Sequence, residues 1–181
     1  MTPEQREHLD RFAAEAKEFC RFIDSLGAQD QASRSEEPYH DLHRMLSKMA
    51  ATAVDIPWGQ SPEGSRSVDR PGYDGWQDLM GKLAEAFEPE LEQAKRLERD
   101  DVDPDLAHRM FTLADDIADI YNDLRYGLQL YWLDNEAAVD DAAWQWRWSY
   151  ESHWGEHMFR ALQSMHEMIY GPYIVIEDEE D

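Results

Sequence analysis

Asp116, Asp119, Asp123, Arg147, Glu151, His153 and His157 are the residues of this chain whose types and spacing could do chemistry together. Asp116, Asp119 and Asp123 follow one another at three- and four-residue steps. On a helix such carboxylates point one way and can hold a cation or a basic side chain. They can equally form a solvated helix face beside a core. His153 and His157 stand four apart, a spacing at which two imidazoles on one helix can bind one zinc ion. The string His153-Trp154-Gly155-Glu156-His157 matches the H-x-x-E-H pattern of inverted zinc peptidases. Those enzymes need a third ligand from elsewhere in the chain. Only 24 residues follow His157, and Glu167 is too far along the same helix to fold back. A metal alternative therefore draws on Asp116, Asp119, His153 and His157. A further string, His40-Asp41-Leu42-His43 with Glu37 before it, holds a single Glu-x-x-His. Di-iron bundles use two, with further glutamates, so this string reads as a surface histidine pair.

These residues need helices to position them, and the chain is punctuated for helices near 3–26, 38–54, 74–87, 104–132 and 140–170. Thr2 and Gln5 can form a capping box, and Pro3 suits the first turn. Leu9, Phe12, Ala16, Phe19, Ile23 and Leu26 make the stripe of the first helix, which Gly27 stops. Cys20 lies on that stripe, as a small buried hydrophobe rather than a nucleophile. Leu42, Met45, Met49 and Ala53 make the second stripe. Residues 57–72 form a long irregular connection, a lid or a crossover, with Trp58 pinning it to the bundle. Trp76, Leu79, Leu83 and Phe87 share the third face. Pro89 breaks that helix, and a charged piece at 90–99 follows.

Leu106, Met110, Leu113, Ile117, Ile120, Leu124, Gly127 and Tyr131 alternate by four and three, the seam of a bundle helix. Gly127 costs helix stability, and close approach of a neighbouring helix is the reason to expect it there. In the last helix, Trp144, Trp148, Gly155, Phe159 and Leu162 lie on one side and Trp146, Tyr150, Trp154 and Met158 on another. This predicts burial between several neighbours. The expected fold is all-α: a single bundle of five or six helices over residues 1–171, its last two long helices an antiparallel hairpin, then an acidic tail at 172–181.

Folding the hairpin about residue 136 sets Asp119 across from His153 and Asp116 across from Glu156 and His157. Asp123 then falls near Arg147 and Ser149. An aspartate facing a histidine can orient a general base or a metal ligand. It can also simply satisfy buried polar groups in a tight bundle.

The chain carries 40 acidic against 17 basic residues, a net charge of −23. That excludes ligands that need clustered Lys and Arg: nucleic-acid backbones and anionic membrane surfaces. It leaves a basic protein as the partner class, with the chain a monomer or a dimer. One cysteine excludes an intramolecular disulfide. The polar N-terminus is not a signal peptide, and no apolar run approaches a membrane span, so a cytoplasmic protein is expected. No cofactor is implied by the pattern as a whole.

Several strings resemble an uncharacterised bacterial helical family, domain of unknown function 5063. They are L-A-D-D-I-A-D-I-Y-N-D-L at 113–124, W-Q-W-R at 144–147, Y-E-S-H-W-G-E-H at 150–157 and A-L-Q-S-M-H at 161–166. E-F-C-R-F-I-D at 18–24 is similar more loosely, and 88–103 and the tail depart from the pattern. The resemblance implies an all-helical bundle and a bacterial cytoplasmic setting, and no activity. Two functions stay open. One is a non-enzymatic acidic interaction module, regulatory or toxin-neutralising by analogy. The other is a small metal-binding or hydrolytic helical enzyme using the Asp/His cluster.

Overall fold

Thr2 and Gln5 cap the first helix reciprocally. The Thr2 N–H donates to Gln5 Oε1 at 2.9 Å, and the Gln5 N–H donates to Thr2 Oγ1 at 3.2 Å. From this box α1 runs over Pro3–Leu26. The computed structural model describes residues 1–26, 38–60, 75–83, 86, 104–133 and 135–170, with side chains from 112 onward in the fourth of these longer stretches. After α1 come α2 (Pro38–Ala53), a helical stretch at 75–83, α3 (Pro104–Tyr131), α4 (Glu136–Ser149), a π-helical turn (Tyr150–Trp154) and α5 (Gly155–Tyr170). The fold is all-helical, with no strand among the described residues. The Gly27 stop, the 61–72 part of the long connection, the 90–99 piece and the acidic tail lie outside them.

The apolar stripes close on one another in one continuous core. Leu9, Phe12, Ala16, Phe19 and Ile23 from α1 meet Leu42, Leu46, Met49 and Ala53 from α2. Leu113, Ile117, Ile120 and Leu124 of α3, and Trp146, Trp154, Met158, Ala161 and Met165 beyond them, complete it. Each large buried side chain contributes roughly 1.5–3 kcal/mol relative to exposure. In α2 the stripe is carried by Leu46, not Met45: Leu46 is fully buried and Met45 only partly so. Leu42, Leu46, Met49 and Ala53 step by four, three and four, which keeps them on one helix face.

Gly127 is where α3 and α4 come closest. A Cβ added there would stand 2.0 Å from Trp146 Nε1. The Trp146 indole N–H donates to Leu124 O at 3.2 Å, so the N–H edge of the large ring enters the glycine notch. Phe12 packs edge-on against Trp146 and stacks on Trp154, with centroids at 5.2 and 5.8 Å.

The last helical run differs from the expected 140–170. It starts at Glu136, because Asn135 caps it by accepting from the Ala138 N–H at 3.0 Å. It is also interrupted. At Tyr150–Trp154 the backbone widens into a π turn. Ser149 Oγ donates to Gln145 O and Ser152 Oγ to Trp148 O, at 2.7 and 2.8 Å. Such back-bonding loosens the local helix ladder. Gly155 closes the turn: a Cβ there would meet Tyr150 O at 2.2 Å, so only glycine fits. No helix among the described residues is long and apolar enough to cross a membrane.

Candidate functional site

α3 presents Asp116, Asp119 and Asp123 toward the run that holds His153 and His157. Asp116 is fully buried, and its Oδ1 accepts at 2.8 Å from His157 Nδ1. Arg160 Nε and Nη2 donate to the same oxygen at 3.0 and 2.9 Å. Arg160 Nη2 also stands 2.8 Å from His157 Nδ1, and Nε2 faces the other way. There it meets Asp119 Oδ2 at 3.4 Å. Asp119 Oδ1 accepts from the Trp76 indole N–H at 3.1 Å. His153 Nδ1 lies 2.8 Å from Asp123 Oδ2, with Asp123 largely buried and His153 half open to solvent. The two imidazoles stand edge to face, 4.7 Å apart.

The electrostatics follow from these partners. The hydrogen bond to Asp116 raises the His157 pKa above its usual value, against burial, with Asp119 adding to it. The same carboxylate raises the Arg160 pKa. Burial raises the Asp115 pKa, and the charges of Asp119 and Asp116 add to that. Asp116 Oδ2 is buried with no hydrogen-bond partner among the described residues. Two sets of potential ligand atoms result, each within 4.8 Å: Asp119 with His153 and His157, and Asp115 and Asp116 with His157.

The fold-back about residue 136 is met in part. Asp116 does meet His157, and Asp119 lies near His153, but the hydrogen-bonded partner of His153 is Asp123, while Asp119 faces His157. His153 lies inside the π turn, between Trp146, which meets Leu124, and the helix that carries His157. Arg147 and Glu151 do not join the cluster. Arg147 Nε pairs with Glu151 at 2.8 Å, and its Nη1 donates to Val54 O at 2.7 Å. Arg147 thus closes the end of α2 instead of meeting Asp123. Glu156, the acid of the peptidase-like string, is exposed and pairs with Arg160 at 2.6 Å.

Arg160, Asp115 and Trp76 are members that sequence reading passed over. Arg160 was findable, because it stands three residues past His157 and so on the same helix face. Trp76 was not, since nothing local ties it to a residue 43 positions away. Elsewhere, Cys20 is buried and its thiol is pushed up to about 12, chiefly by burial, so it is no nucleophile. Trp58 does not bury its ring. It stays 55% exposed under the Arg147 guanidinium, and Gly59 is what seats this segment, with its Cα side against Asp140 O and Trp144 N. Trp144 stacks in parallel on Trp148, centroids 5.7 Å apart. His40 and His43 of α2 sit by His166 and Tyr170 of α5.

No curated protein matches the chain. Its fold is similar to the crystal structure of protein BF1032 from Bacteroides fragilis, with a TM-score of 0.67 over 90% of this chain and 92% of that one, at 17% identity. That likeness is one of fold alone. The family model described as "Domain of unknown function (DUF5063)" matches residues 4–171, nearly the full helical part, and the chain belongs to that family.

Proposed function

We propose that this is a bacterial cytoplasmic interaction module, non-enzymatic, whose acidic surface receives a basic protein partner. The observation that carries this reading is an apolar surface set among carboxylates. Val54 and Trp58 are each 55% exposed, with Arg147 donating to the Val54 carbonyl and lying over the Trp58 ring. Trp148, 46% exposed, stacks on Trp144, against whose backbone Gly59 packs. Asp55, Asp140 and Glu151 border them. Exposed large apolar groups in one place mark interaction sites. A net charge of −23 selects a basic partner over a nucleic acid and speeds its approach. A regulatory or toxin-neutralising task is consistent with such a surface by analogy.

Titration of the whole chain with a Lys/Leu amphipathic helical peptide, read by tryptophan fluorescence, tests it. Binding should weaken with salt and should fall at least about tenfold, or 1.4 kcal/mol, in Trp58→Ala/Trp148→Ala. Tight binding of DNA or RNA instead, or peptide binding indifferent to salt and to both tryptophans, overturns it. A metal-dependent role is the second reading, favoured by the convergence of Asp119, His153 and His157. Elemental analysis of the purified protein tests this second reading without bearing on the first.

A further inference from the structure

We propose that Asp119, His153 and His157 together bind one divalent transition-metal ion, with Asp123, Asp116 and Trp76 as the groups that aim the three ligands. Each ligand has one atom already held from outside and one atom left over. His153 gives Nδ1 to Asp123 and His157 gives Nδ1 to Asp116, both at 2.8 Å. Asp119 gives Oδ1 to the Trp76 indole at 3.1 Å. The leftover atoms are the second imidazole nitrogens and Asp119 Oδ2, and one ligand atom from each residue lies within 4.8 Å of the others. A metal-bound histidine almost always gives its other nitrogen to a carboxylate or carbonyl, which fixes the ring and raises its basicity. Here that arrangement occurs twice.

The distances separate this from an ordinary ion pair. Charge-assisted N–H···O bonds settle near 2.7–2.9 Å, and both Nδ1 contacts do. His157 Nε2 and Asp119 Oδ2 stay at 3.4 Å, too long for that. Two ligand atoms each about 2.0–2.1 Å from one tetrahedral metal stand roughly 3.3–3.4 Å apart. The pair is spaced as the edge of a coordination polyhedron.

Two further observations point the same way. Among the described residues, Asp116 Oδ2 is buried without a hydrogen-bond partner, so the carboxylate keeps negative charge beside His157 that a cation on the far side of that ring would feel. The π turn at Tyr150–Trp154 carries His153 and ends at Gly155, just before the helix that carries His157. Such turns are frequent at functional sites because they re-aim one side chain. The alternative set of Asp115, Asp116 and His157 is the worse site, since the Arg160 guanidinium already stands on Asp116 and would repel a cation.

Two imidazoles and a carboxylate suit Zn²⁺, Fe²⁺, Co²⁺, Ni²⁺ or Mn²⁺ rather than the all-oxygen preference of Ca²⁺ and Mg²⁺. Three protein ligands, with His153 48% exposed, leave at least one coordination position open to water or a small ligand. That is the character of an exchangeable site and not of a closed structural one.

The test uses the full chain, stripped with a chelator and titrated with Zn²⁺ by calorimetry and with Co²⁺ by visible absorption. The proposal expects one equivalent bound, with Co²⁺ bands typical of nitrogen and oxygen ligands. His153→Gln is the first variant, because that side chain is half exposed and its loss spares the core. It should weaken binding at least about tenfold. Asp123→Asn, which leaves all three ligands in place, should weaken it about 10–100-fold. Trp76→Phe should abolish the part of the fluorescence quenching that tracks Co²⁺ occupancy. His166→Gln, in the other histidine group, should change nothing. Absence of one-to-one uptake of both Zn²⁺ and Co²⁺ overturns the proposal and leaves an ion-pair network. Uptake that His153→Gln and Asp123→Asn leave intact also overturns it, placing the ion on surface carboxylates. Neither outcome touches the Trp58/Trp148 surface, so the interaction reading stands or falls separately.

Discussion

His153 and His157 face carboxylates from a neighbouring helix, whereas His40, His43 and His166 face one another and Tyr170. The first group is held at hydrogen-bond distance by Asp123 and Asp116. In the second, the His43 and His166 rings stand 6.2 Å apart and Tyr170 lies across both. The consequence is opposite titration. The hydrogen bond to Asp116 raises the His157 pKa, while burial, then the charges of His166 and His40, lower that of His43. Both groups were written in the sequence as two histidines a helical turn apart. Residue type and spacing therefore did not separate them; the element packed opposite did.

The comparison breaks most visibly at Asp116. In chelator, Asp116→Ala should cost about 2–3 kcal/mol, because it removes the acceptor of the largely buried His157 at a fully buried position, while the exposed Arg160 keeps Glu156. Urea unfolding at neutral pH reads this, and a loss under about 1 kcal/mol would mean the two groups are energetically alike. Asp119→Ala comes next, at about 1–3 kcal/mol under the same conditions, since it removes the acceptor of Trp76 and the second neighbour of His157. If that change is silent in chelator yet abolishes Zn²⁺ uptake, Asp119 serves the metal alone.

Melting temperature against pH sharpens the contrast in sign. A raised folded pKa means that the His157 contribution is full below its ordinary value of 6.5 and is lost as pH rises through the raised value. A lowered one means that the His43 contribution is full above 6.5 and is lost as pH falls through the lowered value. In chelator, His157→Gln should therefore flatten the alkaline side of the profile, and His43→Leu the acid side. Equal flattening on one side by both variants would contradict the geometry. The smallest effect is expected of His166→Gln, within about 0.5 kcal/mol, because that side chain is exposed and gives up no carboxylate partner.

Much of this architecture was readable before any coordinates. The Thr2–Gln5 box, the α1 stripe and the seam from Leu113 to Gly127 are set by steps of three and four along one helix, so local periodicity suffices. Gly127 was readable as a place of close approach, although which ring fills the notch was not. The candidate site was legible in membership and less so in pairing. Asp116, Asp119, Asp123, His153 and His157 do come together, but Arg147 and Glu151 turn to the end of α2, and Arg160 and Trp76 take part.

The sequence by itself determined which helices form, which faces they bury and which polar side chains are carried toward α3. Asp116 meeting His157 was readable from the fold-back; that His153, inside the π turn at Tyr150–Trp154, gives its hydrogen bond to Asp123 was decided only by the tertiary structure. That turn rests on Ser149, Ser152 and Gly155 acting against a packed tryptophan core, a balance of backbone bonds and burial that no spacing along the chain records.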